Sequence, residues 1–204
     1  MVPPMERELP LAGAHQRQNA ALAVAAAKAL LPDIHEQAIN LGLERLRWPG
    51  RFEVIGERPP VVLDGAHNGA SAAALAETLR HFAAGRPIRL VVGINRDKDA
   101  RAVLRPLLPL ADQVWATQAR DNRRALSAEE LARLCRKLGA HAEAEPDLSA
   151  ALERAMRMSG ASKKTVAREK TEQTVDSVVC LTGSLMLVGQ ARATLGVPAP
   201  ERLW

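Results

Sequence analysis

Residues 60–83 read PVVLDGAHNGASAAALAETLRHFA, and this stretch decides the fold. Val61-Val62-Leu63 is a short continuous apolar run, the pattern of a strand buried on both faces. Asp64-Gly65-Ala66-His67-Asn68-Gly69 follows, with glycines that permit a tight backbone turn. From residue 69 to 83 the pattern changes to that of a helix.

The same rhythm continues in both directions. Upstream, RFEVI (51–55) reads as a short strand. Downstream come a strand at IRLVVGI (88–94), a helix over 99–109 and a strand at ADQVWAT (111–117). SAEELARLCRKL (127–138) opens on Ser127 with Glu130 three residues later, the capping-box signature of a helix start. HAEAE (141–145) is a weak strand, 147–158 a helix, SVVCLTG (177–183) a strand and SLMLVGQARATL (184–195) the last helix. Strands alternating with helices predict an α/β fold: a doubly wound, mostly parallel sheet of about six strands with helices on both faces. Residues 159–176 are polar and aperiodic and read as a surface loop or frayed helix extension.

Before this rhythm begins, AHQRQNAALAVAAAKAL (14–30) predicts an Ala-rich helix stopped by Pro32, and 34–46 a second helix. Trp48-Pro49-Gly50 breaks the pattern. The expected organisation is therefore 1–48, two helices too small to stand alone, and 49–204, the α/β domain.

Composition narrows the function classes. The 204 residues are 47% hydrophobic and 25% charged, with only 2% aromatic and no Tyr. Such a core must be built from Ala, Leu and Val packed closely on a sheet. The net charge of +5 is spread along the chain without interleaved aromatics, which argues against a nucleic-acid stacking platform. Cys135 and Cys180 lie in apolar stretches with no CxxC spacing, so they read as buried thiols of a reducing compartment. The start, MVPPMERELPLAG, lacks the apolar stretch of a signal peptide, and no 18 consecutive residues are apolar. A cytoplasmic chain with no membrane partner is expected.

In an open α/β sheet, ligands sit at the carboxyl ends of strands. Four such turns carry candidate chemistry. Asp64, His67 and Asn68 can bind a ribose hydroxyl, phosphate or substrate carbonyl, or can simply cap the next helix. Asn95-Arg96-Asp97-Lys98-Asp99 is a mixed-charge crevice loop or a solvated cluster. Asp121-Asn122-Arg123-Arg124 offers guanidiniums suited to a carboxylate or phosphate, or is a plain exposed loop. Thr182-Gly183-Ser184 lines the crevice or caps the last helix. The sequence contains no GxxxxGK[ST], GxSxG, HExxH or dinucleotide fingerprint.

Six segments, in order, resemble the folylpolyglutamate synthase/dihydrofolate synthase family of the Mur ligase superfamily. They are AHQRQNAALA, LERLRWPGRFE, VVLDGAHN, GINRDKD, RRALSAEELA and LTGSLMLVGQAR, and together they span almost the whole chain. The resemblance implies a Rossmann-like C-terminal domain preceded by two helices left from a central ATPase domain. It implies an ATP-dependent ligase that joins the amino group of L-glutamate to a folate or dihydropteroate carboxylate activated as an acyl phosphate. It places Asn19 near adenine, Arg51 near the phosphates and Asp64 near the ribose. His67 and Lys98 become candidate catalytic groups, and Arg124 and Ser184 candidate substrate contacts. No metal ligand is expected in this chain: Mg²⁺ and the ATP phosphates belong to an N-terminal ATPase part, in the same or another chain, and the chain itself is expected to be a monomer.

The sequence departs from the family pattern in four respects. The P-loop part is missing. Residue 69 is Gly where Pro is usual. The polar stretch 159–176 replaces a short connection, and Met186 stands where an aromatic is common. Two other readings remain. Asp121-Asn122-x-Arg124 distantly resembles a muramyl-peptide ligase motif, and a non-catalytic nucleotide- or partner-binding module would also fit a chain without its ATPase half.

Overall fold

The computed structural model describes residues 8–157 and 177–198. The expectation for 159–176 falls outside them. Two helices come first, α1 (Ala14–Leu30) and α2 (Glu36–Glu44). Then follow β1 (Glu53–Ile55), β2 (Val61–Leu63), α3 (Gly69–Ala83), β3 (Ile88–Val92), α4 (Ala100–Leu107), β4 (Ala111–Ala116), α5 (Ala128–Lys137), β5 (Ala142–Ala144), α6 (Leu148–Arg157), β6 (Val178–Thr182) and α7 (Leu185–Thr194).

The six strands form one sheet in the order β1-β2-β6-β3-β4-β5. Every neighbouring pair is parallel except β1–β2, which is antiparallel. The doubly wound, mostly parallel reading is therefore what the chain adopts. Period-two alternation sorts the strand side chains into two cores. Val62, Leu90, Val92, Val114, Ala116 and Cys180 face α3, α4 and α5. Val61, Leu63, Val91, Trp115, Val179 and Leu181 face α6 and α7. Trp115, 1% exposed, is the largest side chain in either core.

This arrangement fixes where ligands can enter. After β2, β3 and β4 the chain passes to α3, α4 and α5 on one face. After β5 and β6 it passes to α6 and α7 on the other. Crevices open where adjacent strands send their connections to opposite faces. In this strand order that happens on both flanks of β6 and again between β4 and β5.

Helices α1 and α2 are attached lightly. Only Gln16, Ala20 and Ala21 of α1 and Ile39 of α2 are buried. Leu22, Leu30, Leu31, Leu41 and Trp48 remain exposed. Among the described residues, no helix is long and apolar enough to cross a membrane.

Candidate functional site

The turn after β2 is built around Asp64. Its Oδ2 accepts from the Phe52 backbone N–H at 2.8 Å, and its Oδ1 from the Ala66 N–H at 2.8 Å. The carboxyl is 8% exposed. Burial raises its pKa above the ordinary carboxylate range, against the two backbone donors and the charges of Arg51 and His15. Asp64 thus ties the 48–53 linker to the strand end. Each oxygen keeps a second lone pair, so an edge contact to a ligand hydroxyl is still open.

Gly65 lies beneath two side chains. A Cβ there would stand 3.2 Å from Arg51 Nη1 and 2.2 Å from Leu185 Cδ2. The residue is glycine because a guanidinium and an isobutyl group cover it. Next in sequence, His67 Nδ1 sits 2.9 Å from the Gly65 carbonyl. A carbonyl only accepts, so Nδ1 donates, which leaves Nε2 of a neutral ring as an acceptor. Asn68 forms a reciprocal capping box with Ser71 at the start of α3. For Asn68 the capping role is the observed one.

His67, Asn95, Lys98, Arg124, Gly183, Ser184, Leu185 and Met186 line one cleft of about 200 Å³. It lies at the crevice beside β6, where sheet topology places a ligand. Ser184 takes the N-cap position of α7 but makes no capping hydrogen bond, so its hydroxyl is not spent on the helix. Gly183 has φ 108°, and a Cβ on it would meet the Gly93 carbonyl oxygen at 2.4 Å. Close approach of the β3 and β6 ends therefore shapes the cleft floor.

The opposite wall is stapled. The Arg96 N–H donates to the Arg124 carbonyl at 2.7 Å, Asn122 Nδ2 to Asn95 Oδ1 at 2.8 Å, and the Leu126 N–H to the Ile94 carbonyl at 2.9 Å. Arg96 grips Glu130 through both terminal nitrogens, at 3.2 and 2.7 Å. Glu130 also accepts from the Ser127 N–H and hydroxyl. Lys98, in an ion pair with Asp97 at 3.3 Å, and Arg124 are held on this wall.

The sequence-derived residues thus fall into two groups. His67, Lys98, Arg124 and Ser184 share the cleft beside β6. Asn19, Arg51 and Asp64 do not. Arg51 lines a separate cleft of about 440 Å³ with Arg47, Trp48 and Phe82. Guanidiniums beside an indole suit a flat anionic ligand. Asn19 is exposed on α1, its amide 3.3 Å from Gln16 Oε1. It shares a helix face with His15, four residues earlier, whose charge acts on Asp64. His15 was missed by sequence reading, although its HQ pair stood in the quoted helix. Leu185, an apolar lip with nothing chemical to announce it, was missed as well. Among the described residues no group of three His, Cys, Asp or Glu is placed to hold a metal.

Comparison with known proteins agrees with this fold. Residues 50–185 match the family model described as Mur ligase, glutamate ligase domain. The chain is 38% identical over 185 residues to a probable bifunctional folylpolyglutamate synthase/dihydropteroate synthase of Halobacterium salinarum, covering 91% of this chain and 21% of that protein. A folylpolyglutamate synthase structure of Mycobacterium tuberculosis, complexed with ADP and AMPPCP, superposes with TM-score 0.83 at 31% identity, covering 95% of this chain and 42% of that one. A bifunctional folylpolyglutamate synthase/dihydrofolate synthase of Yersinia pestis, complexed with AMPPNP and Mn ion, superposes at TM-score 0.70 and 29% identity, covering 94% and 42%. The chain thus spans about a fifth of the Halobacterium protein's length. The fold, the crevice and the matched residues lead to one statement: this chain belongs to the Mur ligase glutamate ligase domain family, and its likenesses within it are to the folylpolyglutamate and dihydrofolate synthases.

Proposed function

We propose that this chain is the amino-acid-binding, nucleotide-facing part of an ATP-dependent ligase that makes a γ-glutamyl amide bond to a folate or dihydropteroate. The observation that carries the reading is the convergence of His67, Lys98, Arg124 and Ser184 on one small cleft at the strand carboxyl ends. A volume of about 200 Å³ suits one amino acid. Lys98 and Arg124 supply cations for the two carboxylates of L-glutamate. The Ser184 hydroxyl is left unspent by its helix and donates to one of them.

His67 Nε2, held as an acceptor by the Nδ1 contact, takes a proton from the glutamate ammonium. The freed amine attacks the acyl carbon. The C–N bond forms, the acyl C–O bond breaks, and phosphate leaves with the electron pair, taking up the second proton that the nitrogen sheds.

ATP supplies the phosphoryl group that activates the carboxylate. Arg51 faces its phosphates, Asp64 presents its remaining lone pairs toward the ribose, and Asn19 stands toward the base. Mg²⁺ and the β- and γ-phosphates are held by a P-loop ATPase part outside residues 49–204, in the same or another chain. The chain acts as a monomer, with 1–48 as the tail of the ATPase unit and 49–204 as the ligase domain. The amide-forming step needs that ATPase part, so these residues alone bind substrate without turnover.

The test is a titration of the 204-residue chain with L-glutamate, followed by amide shifts in NMR. Saturable shifts at residues 67, 98, 124 and 184 are expected. Arg124→Ala should weaken binding about tenfold, as loss of a charge-assisted contact does. Shifts elsewhere only, or an unchanged affinity in Arg124→Ala, would overturn the glutamate assignment.

A further inference from the structure

A second, roomier cleft than the one beside β6 lies elsewhere. It encloses about 860 Å³ between the loop after β4 (118–123), the β5–α6 turn with the first residues of α6 (146–149) and the C-terminal half of α7. This is the β4/β5 crevice, the second place where neighbouring strands send their connections to opposite faces. Its volume falls within the range of small-molecule sites, whereas the cleft beside β6 is smaller than that range.

The wall is preformed. The Gln190 side chain accepts from the Arg120 N–H and donates to the Arg120 carbonyl, both at 2.9 Å, pinning the β4 loop to α7. Gln118 Oε1 accepts from the Ala128 N–H at 3.0 Å, and Asn122 joins the staple to Asn95. Gln118, Asn122 and Gln190 thus each commit an amide group to building this cleft. What remains to meet a ligand is charge. Arg123 has no hydrogen bond or ion pair among the described residues, and Arg120 has only a long pair with Asp147 at 3.5 Å. Asp121 and Asp147 stand on the same rim; Asp147 Oδ1 also accepts from the Ala150 N–H at 2.9 Å at the start of α6, and its outer lone pairs face the cleft.

Two guanidiniums and two carboxylates around a space too large for one amino acid match a ligand carrying several carboxylates and one ammonium. We infer that the β4/β5 cleft binds a short glutamyl peptide, its carboxylates on Arg120 and Arg123 and its amino end at Asp121 and Asp147. The glutamyl identity rests on the proposed function. The β4 loop joins the two sites, sending Arg124 into one and Arg120 and Arg123 into the other.

The experiment titrates the 204-residue chain with γ-linked tri-L-glutamate and reads amide shifts at 118–123, 147–149 and 190. Arg120→Ala/Arg123→Ala should weaken trimer binding at least tenfold, and so should N-acetylation of the trimer. Both side chains are exposed at the rim, so the double variant should keep its fold, checked by unchanged shifts in β3 and β6. Shifts confined to the cleft beside β6, equal binding by the double variant, or equal shifts from sulfate at the same ionic strength would overturn the inference. L-Glutamate binding, read at residues 67 and 184, is a separate signal. Its loss with trimer binding intact would remove the proposed function and leave this site standing.

Discussion

Two glycines near the chain's last strand, Gly183 just after β6 and Gly189 within α7, carry opposite consequences. Gly183 combines φ 108° with a carbonyl 2.4 Å from where a Cβ would be. Gly183→Ala should cost about 3 kcal/mol, from backbone strain plus overpacking, measured as a drop in the urea midpoint. Gly189 is exposed within α7, and a Cβ there meets nothing within 4 Å. Gly189→Ala should instead raise stability by about 0.5–1 kcal/mol, because alanine loses less backbone entropy in a helix. In sequence both are a glycine near an apolar run. The φ and the facing carbonyl that separate them come from β3, far away in the chain. The same limit applies to Asp64: its place at a strand end is readable, but its hold on the Phe52 N–H depends on how the linker folds back.

At the scale of elements, sequence patterns carried well. Helices, strands and the Ser127–Glu130 capping box all stand where apolar spacing and cap residues put them. The strand order could not be read, because it depends on which buried faces meet. For that reason the partner of Glu130 was also hidden: Arg96 reaches it only because β3 and β4 are neighbours. Arg96 and Ser127 hold the Glu130 carboxyl down at about 2, from an ordinary 4.5. A depressed carboxylate stabilises the fold fully above its unfolded value, and that contribution is lost as pH falls from about 4.5 towards about 2. Glu130→Gln should therefore lose less stability than the parent chain across this window, read as urea midpoints at each pH. The pair is half-exposed, so added salt should shrink the difference.

Across the whole molecule, burial is uneven. Strands β2, β3 and β6 are buried along their full length, whereas α2 buries only Ile39. Hydrogen exchange should show amides of β3 and β6 protected to the global unfolding limit and amides of α2 exchanging orders of magnitude faster. Equal protection would mean that α1 and α2 belong to the same cooperative unit as the sheet. The expected organisation into 1–48 and 49–204 is thus put to a direct measurement. Composition foretold the manner of packing: alanines and leucines fill both cores, and Phe52 and Phe82 meet edge to face at 5.4 Å in the one ring pair among the described residues.

The linker's attachments also fix where the chain can bend. The Gly50 N–H binds Glu53 and the Gly50 carbonyl receives the Gly65 N–H, while the Phe52 N–H is held by Asp64 and Glu53 pairs with Arg192 of α7. From Gly50 onward the backbone is tied to the sheet by these bonds. Any swing of α1 and α2 against it must be absorbed at residues 45–49, so the pivot lies just ahead of Arg51, and that guanidinium travels with the domain that presents the β6 crevice.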